Sequence, residues 1–81
     1  MNLSREICIY EKNGDRLIKN FEIKIPLKKL VTIFKVNLKD DPNMYKIYEV
    51  SQNEYEILKS YIYDLTNFNL DKYSIYYECF G

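Results

Sequence analysis

Any chemistry in this chain must do without an imidazole, because its 81 residues include no His. That removes the Ser-His-Asp and Cys-His constellations and the usual imidazole metal ligands. Cys8 and Cys79 are too few and too far apart in sequence for a zinc site, and they read as free, half-buried thiols. A disulfide between them requires neighbouring strands, and a reducing compartment works against it. Asp40-Asp41 is the one adjacent acidic pair, and it precedes Pro42, where turn chemistry outweighs metal binding. Gly14 and Gly81 are the only glycines, so no glycine-rich phosphate loop is present. Tyr and Lys remain, without an identifiable activating neighbour. The side chains read as those of a non-enzyme without cofactor or metal.

These residues need a scaffold, and 81 residues suffice for a single domain spanning 1–81. The chain is 47% hydrophobic and 30% charged, ample for a globular core and too apolar for disorder. No run reaches the ~18–20 apolar residues of a membrane span. The first ten residues lack a basic stretch followed by an apolar one, so no signal peptide is read and a cytoplasmic location is expected.

Period-two patterning opens the chain. Residues 5–11 alternate Ile7 and Ile9 with Cys8 and Tyr10, and residues 15–25 place Leu17, Phe21, Ile23 and Ile25 on one parity. Asn13-Gly14 between them signals a hairpin. A two-residue loop would pair Ile9 with Ile18 and mix the two apolar sets. A three-residue loop, Lys12 to Gly14, pairs Glu11 with Asp15 and Ile9 with Leu17, and makes Gly14 the left-handed residue of a bulge. The second register is preferred. Pro26 ends the strand and suits a first helical turn. Leu27, Leu30, Val31 and Phe34 then predict a short amphipathic helix over about 27–36.

Residues 37–43 read as a loop and 44–50 as a third strand with two similar faces. Ser51 and Glu54 form a capping box that opens a helix running to about residue 64, with Tyr55, Leu58, Ile62 and Leu65 as its buried stripe. Phe68 and Leu70 plug the core edge, and 72–80 is the last strand. The order β-β-α-β-α-β predicts an α+β fold, a mainly antiparallel four-stranded sheet with two helices on one face. A β-grasp-like arrangement is the alternative.

Zero net charge conceals an asymmetry. Residues 1–39 carry nine basic and four acidic side chains, while 40–81 carry three and eight. Two solvated faces would account for this; so would an acidic pole that steers a basic partner. Lys24, Lys28, Lys29, Lys35 and Lys39 form a basic stretch, but no matching motif accompanies it, so it reads as a solvated helix face rather than a nucleic-acid site. Nine tyrosines remain. The sheet face away from the helices would carry Tyr10, Ile18, Tyr76 and Phe80, with Tyr48 as a further candidate. Cross-strand packing on a wet sheet and a protein-binding face are both open readings.

Ile9-Tyr10-Glu11-Lys12-Asn13-Gly14, the helical Leu27, Leu30 and Phe34, Tyr48-Glu49-Val50 before the capped helix, Phe68 to Tyr73, and Tyr76-Tyr77-Glu78-Cys79 together form a pattern. In it the chain resembles the small bacterial immunity proteins of polymorphic toxin and contact-dependent growth inhibition systems. The resemblance implies a cytoplasmic protein that binds a cognate toxin domain, often a nuclease, and occludes it. Acidic and tyrosine side chains are the expected contacts: Tyr48, Glu49, Glu56, Tyr63, Asp64, Asp71, Tyr76 and Glu78. A β-grasp-like adaptor and a phage-encoded inhibitor of a host defence nuclease are the alternatives. Neither nucleic acid nor membrane is expected as a partner.

Overall fold

Alternation on one inner strand organises the molecule. The structure, a computed structural model, describes residues 3–14 and 16–81. Its elements are β1 (Ser4–Glu11), β2 (Leu17–Glu22), α1 (Leu27–Ile33), β3 (Tyr48–Glu49), α2 (Gln52–Leu58), a 3-10 helix (Tyr63–Asn67) and β4 (Tyr73–Phe80). The fold is α+β, with one four-stranded sheet of order β2-β1-β4-β3 and every pairing antiparallel. A β-grasp arrangement needs its first and last strands parallel; here β1 and β4 pair antiparallel over eight residues. Ile7 and Ile9 of β1 and Ile75 and Tyr77 of β4 face the helices, in one core with Leu30, Ile33, Tyr55, Leu58 and Leu65.

The hairpin departs from the expected register. Ile7 pairs with Phe21 and Ile9 with Lys19, not Leu17, and the register slips before Tyr10 meets Leu17. The Glu11 amide donates to the Arg16 carbonyl (3.0 Å), and the Gly14 amide to the Glu11 carbonyl (3.4 Å). Pairing of Glu11 with Asp15 falls outside the described residues. The slip leaves Ile18 as an extra residue in β2. The turn enforces one parity and the buried Phe21, Ile23 and Ile25 side require the other, and a bulge accommodates both. The bulge therefore sits at Ile18, and Gly14 has no positive φ. Leu17 is 48% exposed and outside the core.

α1 ends three residues early, at Ile33 rather than 36. Lys35 adopts φ 51°, the Val36 amide donates to the Val31 carbonyl (3.0 Å) and the Lys35 amide to Thr32 (3.3 Å). This is a Schellman closure with lysine where glycine is usual, at a steric cost of about 1 kcal/mol. α2 keeps its capping box: the Ser51 amide donates to Glu54 Oε1 at 3.0 Å. It stops at Leu58 rather than 64: the Ser60 and Tyr61 amides tighten onto the carbonyls three residues back, Ile57 and Leu58, and Ile62 is extended (φ −125°, ψ 91°). The expected stripe survives the break: Tyr55, Leu58 and Leu65 are buried and Ile62, Phe68 and Leu70 pack against them.

The third strand is only Tyr48–Glu49, not 44–50. Asp41, 5% exposed, competes for the preceding residues. Its carboxylate accepts from the amides of Tyr45 (2.9 Å) and Lys46 (3.0 Å) and from the Tyr48 hydroxyl (2.7 Å). Those bonds wind 41–46 into a turn, with Met44 buried at φ 51°. The Met44 carbonyl accepts the Tyr77 hydroxyl at 2.8 Å. Tyr48 pairs with Tyr77 in the ladder, so its ring lies on the helix side, tilted on Phe34 and edge-on to Tyr77, not on the open face.

Burial raises the Asp41 carboxyl, but the Lys46 and Tyr45 amides and the Tyr48 hydroxyl outweigh it and hold the group below its ordinary range. Its stabilisation is complete above the unfolded value of about 4 and is lost as pH falls through the lower folded value. Burial, then Asp41, pushes Tyr48 up to about 12, and burial pushes Tyr77 up to about 12. Both stabilise fully below their unfolded value near ~10 and lose this as pH rises through the folded value.

Asp41→Asn should lower the melting midpoint by about 5–15 °C at pH 7 and flatten the loss of stability below about pH 4, measured by circular dichroism against pH. Lys35→Gly should raise stability by about 0.5–1 kcal/mol in urea denaturation, with an unchanged m-value.

Candidate functional site

The even-numbered residues of β1 and β4 face away from the helices, and the ladder arranges them in rows. Glu6 lies opposite Glu22 on one side and Glu78 on the other. Cys8 lies between Asn20 and Tyr76, and Tyr76 is opposite Glu49 of β3. Tyr10 lies between Leu17 and Ser74, and Ser4 is opposite Phe80. Four glutamates and no basic residue therefore occupy the ladder positions of this face. Like charges directly opposite one another cost about 0.2–1 kcal/mol per pair, so this row is not there to stabilise the sheet.

Local donors blunt that repulsion. Ser4 Oγ donates to Glu6 (2.9 Å) and to Glu22 (3.3 Å), Asn20 donates to Glu6, and Lys24 pairs with Glu22 at 3.1 Å. The Tyr10 hydroxyl donates to Glu78, and this bond, with burial and the carboxylate's charge behind it, raises the Tyr10 phenol well above its usual value. Glu6, Glu49 and Glu78 have no ion pair among the described residues. No three His, Cys, Asp or Glu side chains among the described residues converge as metal ligands.

Tyr10 and Tyr76 meet edge-on, ring centres 5.9 Å apart at 71°. Beneath them Cys8 is buried, and desolvation, then Glu78, pushes its thiol up to about 12, which keeps it protonated and unreactive at neutral pH. Cys79 is on the opposite parity of the adjacent strand, so the two thiols face opposite sides of the sheet; both are free. Exposed Leu17 is paired with Tyr10, and exposed Ile47 lines one groove with both rings. A shallow groove of about 370 Å³ runs past Tyr10, Tyr76, Glu78 and Ile47 toward the hairpin turn.

Of the eight contact residues expected from the sequence, Glu49, Tyr76 and Glu78 gather on this face. Glu56 lies on α2, paired with Lys59 at 2.8 Å, and Tyr63 (82% exposed) and Asp64 on the 3-10 helix, all in the helical layer. Asp71 is exposed in the loop before β4. Tyr48 faces the core. Glu6, Glu22 and Cys8 were not among the expected residues. Both were legible by parity, Glu6 with Cys8 and Tyr10 and Glu22 opposite the Phe21 and Ile23 side of β2; only the pairing of Glu22 with Glu6 required the true hairpin register.

Glu6→Gln, at the centre of the carboxylate row, should raise the melting midpoint by a few degrees in low salt. The gain should shrink in 1 M NaCl, where screening already relieves the repulsion.

No helix among the described residues is long and apolar enough to cross a membrane. No curated protein and no solved structure matches the chain. A family model does match, over residues 4–78, from the first strand into the last. The chain belongs to that family, the domain of unknown function DUF7683.

Proposed function

We propose that this chain is an immunity-type protein that binds a cognate bacterial toxin domain and neutralises it by occlusion, one to one and without chemistry. The observation that carries the reading is the open sheet face, where Tyr10, Tyr76 and Phe80 stand among Glu6, Glu22, Glu49 and Glu78. Aromatic rings with polar tips supply contact area at low entropic cost, and a face of one sign steers a partner of the other. Nuclease domains present cations to phosphate, and a carboxylate-bearing face can compete for them. A phosphate backbone would be repelled by the same face, which favours protein over nucleic acid as the partner. Action in the cytoplasm belongs to the same proposal.

On this reading the contacts come from the open face. Glu49, Tyr76 and Glu78 are retained from the residues expected at first, and Tyr10, Glu6 and Glu22 join them. Glu56 on α2 and Tyr63 and Asp64 on the 3-10 helix lie apart from this face, in the helical layer.

Co-expression with the product of the adjacent reading frame tests the proposal. The two proteins should co-purify at one to one, and the chain should restore growth to cells making that product. Glu6→Lys with Glu78→Lys should weaken association at least a hundredfold, while Glu56→Lys with Asp64→Lys should leave it within a few fold. No complex and no protection would sink the reading. Loss only in the second pair would move the contact to the helical layer.

A further inference from the structure

The open face has a centre. Tyr76 is opposite Glu49 across the β3–β4 pairing and two residues from Glu78 on the same side of β4. Its ring meets Tyr10 edge-on. Neither Glu49 nor Glu78 has a cation within ion-pair distance among the described residues. The nearest amine along the groove, Lys12, is tied to the Leu70 carbonyl at 2.6 Å. An aromatic plane flanked by two carboxylates matches one side chain above others. A planar guanidinium can lie on the ring and present its N–H forks to carboxylates at either edge, where an ammonium satisfies only a point contact. At the groove's turn end, Glu11 pairs with the chain's own Arg16 guanidinium at 2.5 Å.

We infer that Tyr76, with Glu49 and Glu78, is the seat for an arginine side chain projecting from the protein partner. This rests on the open face being the docking surface, as proposed above, and it names the group that anchors there. Tyr and Arg dominate the energetics of many interfaces, and an arginine on Tyr76 would pair two such groups at the middle of the face. The acceptors are divided between strands, Glu49 on β3 and Glu78 on β4, so the seat depends on the two-residue β3 pairing.

Titration of the 15N-labelled protein with N-acetyl-arginine amide reads the seat without a partner. Saturable amide shifts should cluster at residues 10, 49 and 74–78, with millimolar affinity. N-acetyl-citrulline amide, the same shape without the charge, should produce none, and N-acetyl-lysine amide should bind at least threefold more weakly. Glu49→Gln with Glu78→Gln should weaken arginine binding at least fivefold, Tyr76→Leu similarly, and Tyr76→Phe should retain it. The amide spectrum of each variant reports directly whether it is folded. Equal shifts from the citrulline or lysine compound, or a double glutamine variant that binds unchanged, would overturn the assignment. An intact seat in a chain that protects against no toxin would overturn only the immunity reading. Protection with no arginine-specific shifts would overturn only the seat.

Discussion

Period-two alternation on β1 is the constraint on which the rest depends. Ile7 and Ile9 turn toward the helices and reach zero exposure, and Glu6, Cys8 and Tyr10 turn away. Because β1 is paired along both edges, its parity is copied into β2 and β4 and through β4 into β3. One strand thus sorts four into a dry side and a wet side. A slip of one residue would exchange them, placing Glu6 and Glu78 against Leu30 and Leu58 and two isoleucines in water. The cost of burying unpaired carboxylates makes that alternative inaccessible.

Tyrosine hydroxyls then fasten the irregular segments to this sheet. Tyr77 is fully buried and donates to the Met44 carbonyl, Tyr55 donates to Leu65 at 3.3 Å, and Tyr48 donates to Asp41. Each ring fills core volume while its tip satisfies a polar group of a loop or a 3-10 helix, which a Phe would leave unpaired. Helices of seven residues cannot hold themselves together in water, so the chain relies on these fastenings and on its core. The tyrosine richness therefore has two uses, inner clips at Tyr48, Tyr55 and Tyr77 and an outer surface at Tyr10 and Tyr76.

Local signals in the sequence were faithful where their physics is local. The Ser51–Glu54 box, the parity of β1 and β4, and the stripe through Tyr55, Leu58 and Leu65 all appear in place. What stayed hidden was decided at a distance. The strand expected over 44–50 lost its first residues to the Asp41 carboxylate, and the hairpin register answered to the inward side of β2 as well as to its turn. The charge split by halves of the chain was a poor guide to the surface. Glu6 and Glu22 come from the basic half, yet the fold sets them beside Glu49 and Glu78 from the acidic one.

The bulge at Ile18 has a bearing on handling in the cell. β2 is the one long free edge of the sheet, and Asn20 and Glu22 turn their backbone groups outward, since the Ile23 amide points inward to the Arg5 carbonyl at 2.9 Å. Crowded copies with a straight, unpaired edge would zip together strand to strand. An extra residue kinks that edge, and Lys19 and Lys24 place charges along it, which together oppose strand-to-strand growth. The irregularity that displaced the hairpin register thus also opposes edge-to-edge aggregation.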